Sequence, residues 1–405
     1  MTPDSHPAQS PFHIITKPIG AVCNINCEYC FYLDKEHLYE YPSRGMFRMA
    51  PDVLEAYVRQ YIEAQPQGMT EVGFAWQGGE PTLMGLDFFR DAVALQKKYA
   101  REGMRVTNSL QTNGTLLDDA WCAFLREEGF LVGISIDGPE LHHDRFRLDL
   151  EGRGTFKQVM RGLEALKRNN VEWNALTVVQ SDNGDHGARV YRFLKDHGAR
   201  FMQFIPIVEH LGEGKITSRT VGPEQWGRFL NAVWDEWIKE DIGAVFVQHF
   251  DMMLGITLGF PASMCVHSKT CGRALAVEHN GDLYSCDHFV TPEHRIGNLT
   301  KKHLAVLVDS PQQAKFGQDK LDTLPRYCQE CSFVKACYGG CPAHRIKQTP
   351  DGEPGLNHLC EGYKLFYAHT QPALRAMARA LRRGGTAQDY RRFMPAEAPA
   401  PAGLS

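Results

Sequence analysis

Along the first half of the chain, apolar residues alternate between two rhythms. Short runs rich in Val, Ile, Phe and Leu are followed by longer stretches in which apolar residues recur every three to four positions. The short runs predict strands over 12–18, 71–76, 104–110, 130–136, 171–179 and 200–207. The longer stretches predict helices over 51–64, 87–99, 118–128, 155–168 and 185–197. The first of these opens on Pro51, a favoured first-turn residue, and stacks Val53, Leu54, Tyr57, Val58, Tyr61 and Ile62 on one face. Six strands alternating with helices predict parallel βα units. Polar and glycine-rich residues collect at the strand C-terminal ends, where α/β barrels place their chemistry. The fold class is therefore α/β, an open, partial (β/α)6 TIM-type barrel spanning 12–240.

Beyond residue 207 the rhythm changes. Residues 210–220 are glycine-rich and charged, as a linker or lid would be. A helix over 223–240 carries Trp226, Phe229, Leu230, Val233, Trp234 and Trp237 at helical spacing, a packing stripe. A hairpin over 275–286 turns at Asn280-Gly281. Residues 1–11 are polar and predict a flexible start, and the Ala- and Pro-rich stretch from 382 to 405 predicts a disordered tail.

At 405 residues the chain is long enough for one large or two moderate cores. A net charge of -4 offers no electrostatic footprint for nucleic acid or an anionic membrane. No apolar run suits a signal peptide or a membrane span, so a cytoplasmic location is expected. Twelve cysteines in a reducing compartment point to metal rather than to disulfides. Cys122, alone on a helix, reads as a core residue.

Three cysteines, Cys23, Cys27 and Cys30, fall within eight residues just after the first strand. Three thiolates can hold a [4Fe–4S] cluster while leaving one iron open to an exchangeable ligand. A zinc knuckle would want a fourth ligand. Two glycines after the second strand, in Gln77-Gly78-Gly79-Glu80-Pro81-Thr82, let backbone approach a ligand, and the Glu80 carboxylate could receive an ammonium group. Eight further cysteines follow: Cys265, Cys271, Cys286, Cys328, Cys331, Cys337, Cys341 and Cys360. They suffice for two fully ligated four-iron clusters, or for two zinc ribbons.

The C-x3-C-x2-C loop and the Gly-Gly-Glu-Pro turn resemble the radical S-adenosylmethionine (SAM) superfamily, and the cysteine-rich end over 241–381 resembles its SPASM domain. Cys23-x3-Cys27-x2-Cys30-Phe31-Tyr32, the Gln77–Thr82 turn, Asn108-Ser109-Leu110-Gln111-Thr112-Asn113-Gly114 and Gly281-Asp282-Leu283-Tyr284-Ser285-Cys286-Asp287 narrow the resemblance to the anaerobic sulfatase-maturating enzymes. It runs from about residue 12 to 366 and implies oxidation of a sulfatase serine or cysteine to Cα-formylglycine (3-oxoalanine). It implies SAM on the open iron of the first cluster, with Tyr29, Gly79, Glu80, Ser135, Arg147 and Val208 contributing to its site. A 5′-deoxyadenosyl radical would take a Cβ hydrogen, Asp287 would accept the substrate proton, and auxiliary clusters would take the electron. By the same resemblance Cys265, Cys271, Cys286 and Cys341 hold one auxiliary cluster, and Cys328, Cys331, Cys337 and Cys360 the other. Gln77 and Tyr32 would line the substrate cavity. The implied partners are an unfolded or nascent sulfatase and a low-potential donor such as flavodoxin or ferredoxin, with the enzyme a monomer. Serine-type and cysteine-type substrates are not distinguished. Two other readings are a SPASM-type enzyme crosslinking a ribosomal peptide, and an iron–sulfur carrier or zinc-stabilised binding module without SAM chemistry.

Overall fold

The computed structural model describes residues 7–212 and 214–394. Its strands in chain order are β1 (His13–Lys17), β2 (Ile25–Cys27), β3 (Glu71–Trp76), β4 (Arg105–Thr112), β5 (Leu131–Ser135), β6 (Arg147–Asp149) and β7 (Trp173–Val179). They continue as β8 (Phe201–Pro206), β9 (Phe246–Val247), β10 (Ala274–Glu278), β11 (Asp282–Tyr284) and β12 (Arg295–Asn298). Ten of them form one sheet in the order β12-β11-β10-β1-β3-β4-β5-β7-β8-β9. From β1 to β9 every neighbour is parallel. Each of the six expected strands is present, and helices Pro51–Ala64, Leu86–Tyr99, Asp119–Glu127, Phe156–Arg168 and Gly187–Asp196 provide the crossovers. Order β12 to β9 leaves two separate ends, so the barrel stays open.

The strands bury their apolar residues because helices cover them. Ile14, Phe74, Leu110, Val132 and Ile134 are buried, and the helix residues Leu54, Tyr57 and Ile62 pack into the same core. Cys122 is fully buried there, as its position on a helix face predicts.

Three features differ from the sequence expectation. First, the hairpin does not stand apart with the cysteine-rich region. Its first strand, β10, runs parallel to β1, with Lys17 opposite Glu278, and β11 and β12 add antiparallel beyond it. The barrel sheet therefore extends into the second half of the chain. Second, β2 and β6 form a small antiparallel sheet in which Cys27 pairs with Arg147. Three-residue strands carry too little apolar periodicity to be read from sequence. Third, residues 383–394 are not a loose tail. They fold back through the short helix Ala387–Phe393, burying Tyr390, while Gln388 Nε2 donates to Ile242 O at 2.7 Å. Residues 395–405, the rest of that expected tail, lie outside the described residues. At the other end, residues 1–6 lie outside the described residues as well. The remainder of the expected flexible start is anchored: Ala8 is buried and its N–H donates to Ala64 O at 2.8 Å.

The C-terminal helix Cys360–Arg382 packs against helix Pro223–Glu240. Gly362 permits the approach, since a Cβ there would lie 2.1 Å from Pro223 O. This contact ties the cysteine-rich region to the barrel.

Candidate active site

A cavity of about 1320 Å³ opens at the C-terminal ends of the strands. Cys23, Cys27 and Cys30 lie on one wall; His288 and His344 lie on another. The pairing of β2 with β6 sets the cysteine loop. It brings the Arg147 guanidinium 3.9 Å from Cys27 Sγ. Arg147 Nε also donates to Asp137 at 3.0 Å, and Asp137 is fully buried. Tyr29 donates its hydroxyl to the same carboxylate and lies under the guanidinium, 5.5 Å from ring centroid to Cζ. Burial pushes the thiols of Cys23 and Cys27 up to about 12, with nearby Glu80 raising Cys23 further and Arg147 opposing the rise at Cys27. Such thiols deprotonate when a metal takes the proton's place.

Gly78 and Gly79 line the cavity, yet the closest approach they permit is to the cysteine loop itself. A Cβ on Gly79 would sit 1.8 Å from Val22 O. Gly79 N–H donates to Gly20 O at 2.7 Å, and Glu80 N–H to Val22 O at 2.9 Å. The glycine turn is thus the scaffold on which the three cysteines are hung. The Glu80 side chain also fixes the turn. Its carboxylate is fully buried and accepts from Thr82 Oγ1 (2.6 Å), Thr82 N (3.0 Å), Thr112 Oγ1 (2.7 Å) and Asn113 N (2.8 Å). Burial raises its pKa, and these donors pull it back. Three of these bonds fall on Oε1 and one on Oε2, so the carboxylate locks the turn and Oε2 keeps a lone pair for a further donor.

Ser135 and Val208 line the cavity, as do Tyr29, Arg147, Gln77 and Tyr32. Ser135 Oγ accepts from Gln111 Nε2 at 3.1 Å. Asp287 is nine-tenths buried and reaches the site through Lys17, whose Nζ is 2.5 Å from its Oδ1. Lys17 is 1% exposed, donates to Gln77 Oε1 at 3.3 Å and lies 4.2 Å from the Tyr32 ring centroid. Tyr32 donates to Glu278, whose second oxygen meets His279 Nδ1 at 2.9 Å. Sequence reasoning missed Lys17 and His288. A lysine closing an otherwise apolar strand was the available signal for the first, and adjacency to Cys286-Asp287 for the second.

The remaining eight cysteines fall into two groups. Cys328, Cys331, Cys337 and Cys360 line one cavity of about 410 Å³. Cys265, Cys271, Cys286 and Cys341 lie close enough to raise one another's pKa by charge repulsion. Among the described residues no three His, Cys, Asp or Glu converge as a single metal ion would require. Zinc would draw its sulfurs to about 2.3 Å from one centre. The four thiols around that cavity could hold a cluster of several irons.

The comparisons agree with this geometry. Residues 18–194 match the Radical SAM superfamily, and residues 265–332 match an iron–sulfur cluster-binding domain, SPASM. The chain is 44% identical to the serine-type anaerobic sulfatase-maturating enzyme of Bacteroides thetaiotaomicron, over 93% of each chain. It is 34% identical to the cysteine-type enzyme of Clostridium novyi, over 91% of this chain and 97% of that one. The solved structure of native anSMEcpe with bound AdoMet and the Cp18Cys peptide superposes with a TM-score of 0.81 at 34% identity, covering 92% of this chain and 99% of that one. No helix among the described residues is long and apolar enough to cross a membrane. The chain belongs to the anaerobic sulfatase-maturating enzymes, a family of the radical SAM superfamily with a C-terminal SPASM domain.

Proposed function

We propose that this enzyme oxidises a serine in the active-site motif of an unfolded sulfatase to Cα-formylglycine. The serine preference rests on the relatives: identity is 44% and 41% to two serine-type enzymes but 34% to a cysteine-type one. Cys23, Cys27 and Cys30 would hold the cluster that binds SAM, and the two groups of four cysteines would hold two more [4Fe–4S] clusters. SAM bound there supplies the radical that removes a hydrogen atom from the substrate Cβ. Arg147, Ser135 and Val208 shape the wall against which SAM would lie, and Gly79 holds the loop that carries the cluster. Asp287 accepts the substrate hydroxyl proton, its carboxylate held by Lys17, which itself lines the cavity beside Gln77. One electron from a reduced flavodoxin or ferredoxin would enter at the three-cysteine loop to cleave SAM, and the electron released by the substrate radical would pass to the clusters that the C-terminal cysteines would hold.

The observation that carries this reading is Lys17, which lines the cavity together with Gln77 and the three-cysteine loop and whose Nζ lies 2.5 Å from Asp287 Oδ1, just behind the lining. The experiment is anaerobic reconstitution, followed by reductant, SAM and serine- and cysteine-bearing sulfatase peptides. About twelve irons per chain, in three clusters of four, 5′-deoxyadenosine and a product short of two hydrogens are expected, faster from serine. Equal or faster conversion of cysteine would reverse the substrate assignment. 5′-Deoxyadenosine without aldehyde would discard the sulfatase substrate.

A further inference from the structure

Helix Pro311–Asp322 is pressed against the cysteine-bearing loops. Cys271 N–H donates to Gly317 O at 3.0 Å, and a Cβ on Gly317 would lie 2.7 Å from Cys271 O. Gln313 Nε2 donates to Gly272 O at 3.0 Å and Ser285 O at 3.1 Å. From this helix Lys320 turns inward and is 1% exposed. Its ammonium donates to Cys265 O at 2.8 Å and Val266 O at 3.0 Å. No carboxylate among the described residues pairs with it. Burial lowers its pKa, and the sulfurs of Cys271, Cys265 and Cys341, thiolates once they ligate a cluster, oppose that fall. Arg345 is a second such cation. It donates to Lys320 O (2.8 Å), Gly339 O (3.2 Å) and Tyr338 O (2.7 Å), and it faces sulfurs of both cysteine groups.

A buried cation without a counter-ion is costly, so an anion is expected to share its site. A four-iron cluster on four thiolates would be such an anion, and each electron it gained would make it more negative. Fixed positive charge beside it therefore favours the reduced form, and local charge is among the factors that set cluster potentials.

We infer that Lys320 raises the reduction potential of the cluster held by Cys265, Cys271, Cys286 and Cys341, making it the acceptor of the substrate electron. Arg345, which faces sulfurs of both cysteine groups, would act on both auxiliary clusters. This inference rests on the proposed function. After a hydrogen atom leaves Cβ, the O–H bond breaks and C=O forms. The proton goes to Asp287, and one electron reduces the auxiliary cluster by one. Lys320 touches neither substrate nor SAM; it is an electrostatic positioning residue.

The test is a redox titration of the reconstituted holoenzyme followed by electron paramagnetic resonance, on wild type, Lys320→Gln, Lys320→Arg and Arg345→Gln. Lys320→Gln keeps a donor for the Cys265 and Val266 carbonyls but removes the charge. One wave should move to lower potential, by about 59 mV for each tenfold loss in the ratio of reduced to oxidised cluster. Lys320→Arg should stay at the wild-type value, and Arg345→Gln should move two waves. Full iron content with unmoved waves in Lys320→Gln overturns the inference while leaving the function standing. If Lys320→Gln loads no auxiliary iron, Arg345→Gln decides: two lowered waves support the electrostatic account, and none overturns it. Wild-type protein that loads no auxiliary clusters would instead sink the proposed function.

Discussion

The two cysteine regions treat charge in opposite ways. Beside the three-cysteine loop, the cation is matched: Arg147 is locked to Asp137 at 3.0 Å, and buried Glu80 lies close by. Around the C-terminal cysteines, Lys320 and Arg345 are held by backbone carbonyls and have no carboxylate partner among the described residues. The same ligand type thus sits in a compensated setting at the three-cysteine loop and beside unpaired cations in the C-terminal region. A compensated setting suits a cluster that must give up an electron, and a positive setting suits one that must take it. On the proposed function, the cations without a carboxylate partner mark the electron-accepting end.

The most severe way to break this contrast is to remove a thiol from each side. Cys27→Ala should abolish 5′-deoxyadenosine formation altogether. Cys341→Ala should leave some SAM cleavage but eliminate aldehyde, and chromatography of the two products separates the cases. Equal loss of both products in both variants would erase the division of labour. Next in size is Asp287→Asn. Iron content and SAM cleavage should persist while aldehyde formation falls about 10²–10⁴-fold, the usual worth of a general base. Normal turnover would remove Asp287 from the mechanism.

Asp137→Asn attacks the compensation directly. It leaves the buried Arg147 guanidinium unmatched, which costs about 3–5 kcal/mol of stability. Denaturant unfolding of the protein before cluster loading measures this. Glu80→Gln is milder. It places an amide donor where the carboxylate now accepts from Asn113 N–H, costing roughly 1–3 kcal/mol. Unchanged SAM affinity in that variant would confine Glu80 to the turn, and a selective loss of SAM binding at full stability would place it in the ligand site as well. The smallest effect concerns pH. Cys23 and Cys27 are raised to about 12 and Cys337 and Cys341 to about 11, chiefly by burial. All four are protonated at neutral pH, and iron must displace those protons. Iron incorporation should therefore rise with pH from neutral upward, and a flat profile would contradict the burial argument.

Much of the architecture was legible because burial on both faces imposes apolar runs. The strands at Glu71–Trp76 and Trp173–Val179 and the helices Pro51–Ala64 and Pro223–Glu240 stand within a residue or two of where periodicity places them. The cysteine spacings and the Gly78-Gly79 turn were equally plain, because the chemistry they serve needs those residue types close in sequence.

What the sequence determined by itself, then, is the alternation of βα units, the three-thiol loop and the pool of eight further thiols. Local pattern suffices there, since each depends on neighbours a few residues apart. Tertiary structure alone decided the rest. It brought Lys17 to Asp287, 270 residues away, by laying β10 alongside β1. It turned Glu80 inward, because the glycine turn is clamped to the cysteine loop and Thr112 and Asn113 converge on the carboxylate. It left Lys320 and Arg345 without carboxylates, because helix Pro311–Asp322 and the 338–345 segment meet around sulfur. Charge interactions act through space and leave no periodic trace along the chain, so only the folded arrangement reveals which ones are compensated.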